Sequence, residues 1–185
     1  MFDGSKYSKG IFVPKHREKC LNYTDKTGNL KPPVYRSSYE HIFMSWLDDN
    51  ANVLSWGSEN VLIEYMFHKK KDNELFERDD SRFSKEKHRY YVDFYFEFID
   101  SNGQKKKALV EVKPSNQCPQ LDKNTHQIIF PKVPKKITTK KMNDYLEYCE
   151  VLKQNYAKWT EAKRYAESNG MIFYIITEKE LAIQK

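Results

Sequence analysis

At 185 residues, with 39% hydrophobic and 15% aromatic content, the chain has enough material for one domain-sized core, which argues against a protein disordered throughout. Its three cysteines, Cys20, Cys118 and Cys149, are far apart and form no CxxC pair, so neither a disulfide framework nor a zinc site is expected, and a reducing compartment fits. No stretch approaches the ~18 apolar residues of a membrane span, and a net charge of +6 favours a polyanionic partner over a neutral one.

In chain order, residues 1–34 are polar and rich in Lys, Gly and Pro, and read as an irregular basic arm ahead of a domain at 35–185. The start, MFDGSKYSKG, lacks the apolar centre of a secretion signal. The expected location is therefore the cytoplasm, or a particle assembled there. In SSYEHIFMSWLDDN, 37–50, the residues Tyr39, Ile42, Phe43, Trp46 and Leu47 fall at helical spacing, and Ser37 is a natural N-cap. SWGSEN reads as a turn and VLIEYMF, 61–67, as a strand. A charged insertion near 68–87 reads as an exposed loop.

RYYVDFYFEFI, 89–99, carries the strongest strand signal, and SNGQ and KALVEVK, 107–113, complete a hairpin. A second, Pro-rich insertion covers 114–139. Residues 140–169 have helical periodicity, as one long helix or two joined near Asn155, with Gly170 as the stop. MIFYIIT, 171–177, reads as a buried strand. The sum is an α/β domain with a mixed sheet.

The hairpin carries the chemistry. With a turn centred near Asn102, facing positions sum to about 204 or 205, so Asp93 lies opposite Glu111 or Val112. Glu111 and Lys113 are two apart and project from one face. Asp93 lies between Val92 and Phe94, and Glu111 between Val110 and Val112. Carboxylates set in strands this apolar need partners. A divalent cation meets that need, and Mg²⁺ favours a few carboxylates completed by water and phosphate oxygens. Lys113 can pair with the carboxylates, touch a phosphate or position an attacking water.

VDF at 92–94 followed by EVK at 111–113 resembles the PD-(D/E)XK nuclease superfamily. That resemblance implies a restriction-endonuclease-like core of order αβββαβ, a mixed sheet flanked by helices. It also implies catalytic Asp93, Glu111 and Lys113, and one or two Mg²⁺ ions, with Mn²⁺ as a substitute, held by Asp93, Glu111 and the carbonyl of Val112. Many members add a Glu from the first helix, a place taken by Glu40 in YRSSYE, although Ser37-x-x-Glu40 is equally a capping box. The superfamily's Pro before the Asp is Val92 here.

The segments GIFVPKHREK, YRSSYE, WLDDNANVLSW, RYYVDFYFEF, LVEVKP and WTEAKRYAESNGMIFYIITEKEL are most similar to the head completion nucleases of tailed bacteriophages. The last of them is also similar to transposon end-cleaving endonucleases. The likeness implies a nuclease acting on double-stranded DNA during head completion and head–tail joining. Its implied partners are head, portal or neck proteins, and its location is the host cytoplasm or the virion. A structural virion protein on the same fold and a transposon end-cleaving enzyme are the alternatives. No Gly-rich phosphate loop calls for a nucleotide cofactor.

Candidate DNA contacts are Lys132, Lys135, Lys136, Lys140 and Lys141, in and after the Pro-rich stretch, and Lys158 on the later helix. Lys69 to Lys71 and Lys105 to Lys107 are weaker candidates.

Overall fold

The computed structural model describes residues 9–24, 27–68, 85–136 and 138–181. Its elements are β1 (Gly10–Ile11), β2 (Val34–Tyr35), α1 (Ser38–Asp49), β3 (Val53–Phe67), β4 (Glu86–Ile99), β5 (Lys105–Val112), α2 (Thr139–Ser168) and β6 (Ile172–Ile176). After the short β1–β2 pair they follow the expected order αβββαβ. One sheet runs β3-β4-β5-β6. β4 and β5 are antiparallel, and β5 and β6 are parallel, so the sheet is mixed. No helix among the described residues is long and apolar enough to cross a membrane.

The chain divides into two compact units. The first is drawn from Met1–Ile63, Tyr91–Ser115 and Ala162–Lys185, and the second from Glu64–Tyr90 and Asn116–Glu161. In the first unit, strand alternation sends Phe94 and Phe96 of β4 and Ala108, Val110 and Val112 of β5 into one core with Phe43, Met44 and Leu47 of α1. Phe43 meets Phe94 edge-on at 5.2 Å. The stripe on α1 is rotated from the expected one. Trp46 is left 46% exposed, while Asp48 is buried. Its carboxylate accepts the backbone N–H of Lys15 at 2.7 Å, so the burial is compensated.

That bond is one of several fastening the segment before α1. Phe12 and Cys20 join the core, Cys20 bridges to Trp56, and Lys19 Nζ donates to the carbonyls of Asp48 and Asn50 at the end of α1. The same contacts explain why SWGSEN is not a turn. Asn22 donates to the carbonyl of Ser58 at 2.6 Å and accepts its N–H at 3.2 Å. The polar groups of this stretch are thus met by residues far upstream, and β3 continues through it. The remaining irregularity is Glu59, with φ of 52°.

The hairpin turn forms as read. Gly103 has φ of 74°, and the Asp100 carboxylate accepts the N–H groups of Asn102 and Gln104. α2 is a single helix that stops at Gly170, φ 65°, where Met171 N–H reaches back to Ala166.

The second unit holds the outer ends of β3 and β4 and most of α2. Tyr65 meets Tyr90 edge-on at 5.7 Å and accepts a hydrogen bond from Gln154 at 2.9 Å, while Tyr90 donates to the carbonyl of Lys158. Asn155 donates to the carbonyl of Gln117, tying α2 to the chain that follows β5. The 69–84 part of the first insertion, including Lys69 to Lys71, lies outside the described residues.

The alternation on β4 gives a direct test. Phe94→Ala, at a site 1% exposed, is expected to cost about 3–5 kcal/mol. Tyr91→Ala, on an exposed position of the same strand, is expected to stay within about 0.5 kcal/mol. Urea-denaturation midpoints of the two variants report the difference.

Candidate active site

The β4–β5 register pairs Phe94 with Val110, and each pair sums to 204. Continued by one residue, it sets Asp93 against Glu111, on the face opposite the α1 core. Asp93 turns one carboxylate oxygen, Oδ2, toward β5, where it accepts the Val112 N–H at 2.9 Å. Glu111 is 2% exposed. Lys113 Nζ lies 3.4 Å from Glu111 Oε1 and 3.5 Å from Asp93 Oδ2. One ammonium is shared by two carboxylates from adjacent strands.

Burial works against the charge on Lys113. Asp93 and Glu111 more than offset that cost, with Glu40 adding to them, and the net effect holds its pKa above the ordinary lysine value. The two carboxylates thus favour the ammonium form of Lys113, a hydrogen-bond donor. The parallel partner β6 fixes this segment from the other side. Glu111 pairs with Ile175, Val112 pairs with Ile176, and Lys113 N–H donates to the carbonyl of Ile176 at 3.0 Å. Just beyond, the 6% exposed Glu178 accepts the N–H of Ser115 at 2.8 Å and its hydroxyl at 2.5 Å. This clamp on the chain after Lys113 had no local sequence signal. It follows from β6 running parallel to β5, which brings their ends together.

Glu40 forms a variant of the capping box, in which its carboxylate takes the N–H of Arg36 in place of that of the N-cap Ser37. Its N–H donates to Ser37 Oγ at 3.1 Å, its Oε1 accepts from Ser37 Oγ at 3.0 Å, and its Oε2 accepts the N–H of Arg36 at 2.9 Å. Desolvation raises the Glu40 pKa. The Arg36 amide opposes that rise, Asp93 reinforces it, and Ser37 and Lys113 oppose it. Glu40 thus lies within the electrostatic reach of the Asp93–Lys113 pair while its oxygens serve the helix cap. Among the described residues no three His, Cys, Asp or Glu side chains are grouped closely enough to hold a metal by themselves.

The donor set can still be tested for fit to a metal. Two hard carboxylates, one of them buried, already converge on a cation, and Mg²⁺ takes one or two protein carboxylates with the rest of its shell from water and phosphate. Asp93 and Glu111 fit that pattern, and no sulfur or imidazole is among the groups that converge there.

The basic candidates separate. Lys132, Lys135 and Lys136, and Lys140 and Lys141 in the first turn of α2, are exposed. The Lys158 ammonium is drawn over the rings of Tyr90, at 5.6 Å, and Tyr65, at 6.0 Å. Lys105 and Lys107 pair with Glu97, and Lys106 lies 4.0 Å from Asp100, so that run neutralises the hairpin's own acids.

Residues 50–178 match the family model described as TnsA-like endonuclease N terminal. That stretch contains Asp93, Glu111 and Lys113 and begins after Glu40. The chain is 28% identical over 172 residues to the head completion nuclease of Enterobacteria phage T4, covering 93% of this chain and 92% of that protein. No solved structure matches.

Lys113→Met takes the ammonium away from a buried carboxylate. The expected loss is about 2–3 kcal/mol, on the low side for such an ion because Lys113 is a quarter exposed. Adding Glu111→Gln to that variant is expected to recover part of the loss in urea denaturation.

Proposed function

The chain belongs to the TnsA-like endonuclease N-terminal family, and from that premise we propose that it is a Mg²⁺-dependent deoxyribonuclease acting on double-stranded DNA in phage head completion. The observation that carries the chemistry is the shared ammonium: Asp93 and Glu111, from neighbouring strands, both within 3.5 Å of Lys113 Nζ. Such convergence of like charges at a largely buried point is what cation-dependent phosphate chemistry requires.

Asp93, Glu111 and the Val112 carbonyl would hold the metal. When bound, it neutralises charge on the phosphate and makes water a better nucleophile. Lys113 donates to a non-bridging oxygen of the phosphodiester and stabilises the extra negative charge of the transition state. Water attacks phosphorus, and the bond to the 3′-oxygen breaks. The products are a 3′-hydroxyl and a 5′-phosphate. Glu40 would join by giving up one of its cap bonds, an exchange of about 1 kcal/mol.

The basic segment supports duplex DNA as the substrate. Lys140 and Lys141 stand in the first turn of a 30-residue helix. There the helix dipole disfavours cations, and a bound phosphate backbone would turn that cost into a gain. The head-completion role is favoured over transposon end cleavage because the likeness to the T4 protein runs along 93% of the chain. Head and portal or neck proteins would then be its partners, in the host cytoplasm or the virion.

Supercoiled plasmid incubated with the protein is expected to be cut with Mg²⁺ or Mn²⁺, and left intact with EDTA. Asp93→Ala, Glu111→Ala and Lys113→Ala are each expected to slow cutting by roughly 100-fold or more. Cutting that survives in all three variants would overturn the assignment. Failure of the wild type to cut under either metal, with DNA binding retained, would favour a structural virion protein on a nuclease fold.

A further inference from the structure

A second cation, outside the motif, stands beside the cap that holds Glu40. Arg36 immediately precedes the Ser37 cap, and its backbone N–H is bonded to Glu40 Oε2. Its guanidinium forms a two-point pair with Glu59: Nη1 donates to Oε1, and Nη2 donates to Oε2 at 3.1 Å. Both side chains stay substantially exposed, 54% for Arg36 and 40% for Glu59.

Three features argue against reading this pair as surface decoration. Glu59 is held at φ 52° inside a strand, a conformation that costs an L-residue energy and needs support from its surroundings. That support comes from Ser58, which is buried and bonded in both directions to Asn22, so the backbone that aims Glu59 is fixed. The guanidinium also feels the site. Its pKa is raised first by the bonds to Glu59, with Glu40 and Asp93 adding to them. Finally, the pair with Glu59 occupies only two of the five guanidinium N–H donors, which share one rigid plane.

We propose that Arg36 is a second phosphate-binding residue of this site, a guanidinium fork held by Glu59 that grips a phosphate of the DNA backbone next to the one being cut. The inference rests on the DNA-nuclease reading above. A planar fork suits a phosphodiester better than an ammonium does, because two parallel N–H bonds fix orientation as well as charge. Lys113 serves the scissile phosphate, and Arg36 sets the path of the strand. The acidic pair then meets a substrate already in register, which is where positioning lowers a barrier.

The test uses a short duplex and the whole protein. Binding is measured by fluorescence anisotropy with Ca²⁺ in place of Mg²⁺, across a series of NaCl concentrations, and cleavage is measured separately with Mg²⁺. Arg36→Ala leaves the backbone bond to Glu40 intact. It is expected to weaken binding roughly tenfold and to lower the slope of log affinity against log salt by about one. Arg36→Lys is expected to restore the slope but not kcat/KM. Glu59→Ala is expected to keep the slope and lower kcat/KM.

Two results overturn the proposal. One is Arg36→Ala with slope and kcat/KM both unchanged. The other is Glu59→Ala reproducing every effect of Arg36→Ala, as loss of a purely structural ion pair would. Absence of Mg²⁺-dependent cutting by the wild type sinks the nuclease reading alone. The salt slope in Ca²⁺ still decides whether Arg36 binds phosphate.

Discussion

Everything in the site follows from a carboxylate placed where the sheet is most enclosed. Glu111 sits in β5, which has a hydrogen-bonded strand on each side, and it is nearly sealed from solvent. An ionised carboxylate there costs several kcal/mol after relaxation, and a hydrophobic residue of the same size would cost nothing. The fold keeps it by supplying Lys113 two residues along, on the same face, and by using Asp93 as the opposite bank of the same ammonium. The cation is the keystone. Two negative groups are held together by one positive one, and a site built this way answers to any further positive charge brought near it.

The supports around that triad are arranged by strand direction. Antiparallel pairing with β4 delivers Asp93, and parallel pairing with β6 delivers the Ile176 carbonyl to Lys113 and the Glu178 carboxylate to Ser115. The chain is therefore pinned on both sides of Lys113. Glu40 is held differently. Its bonds are those of a helix cap, worth about 1 kcal/mol, while the field of Asp93 already bears on it. A ligand that repays so small a cost can recruit it, so the cap and the site need not exclude one another.

How much of this was legible in the sequence depends on how local each contact is. The hairpin was, because period-2 alternation and the Asp100–Gly103 turn fix its register within a few residues, and register decides which residues share a face. Helix α1 was, down to the Ser37 cap. The burial of Asp48 was not, since it depends on amides 32 and 33 residues upstream. SWGSEN looks like a turn in isolation, with its Gly and polar residues, and becomes strand because Asn22 satisfies Ser58 from 36 residues away. Arg36 and Glu59 are 23 residues apart, and nothing local in YRSSYE or SWGSEN announces that they meet. The motif residues were visible in the sequence, whereas the groups that hold and extend the motif were not.

The same distinction bears on the chain's positive charge. A net +6 suggests a generally basic surface, yet many of the cations are committed at home. Lys105 and Lys107 answer Glu97, Lys87 answers Glu64, and Lys15 answers Asp49. Exposed pairs of this kind contribute little to stability, but they cancel the field a polyanion would feel. Lys132, Lys135, Lys136, Lys140 and Lys141 are exposed and belong to none of these pairs. Two of these stand in the first turn of α2, where the helix dipole opposes them. A surface arranged for stability alone would put acids there. On the DNA-nuclease reading proposed above, the substrate's phosphate backbone is the anion that would offset that cost.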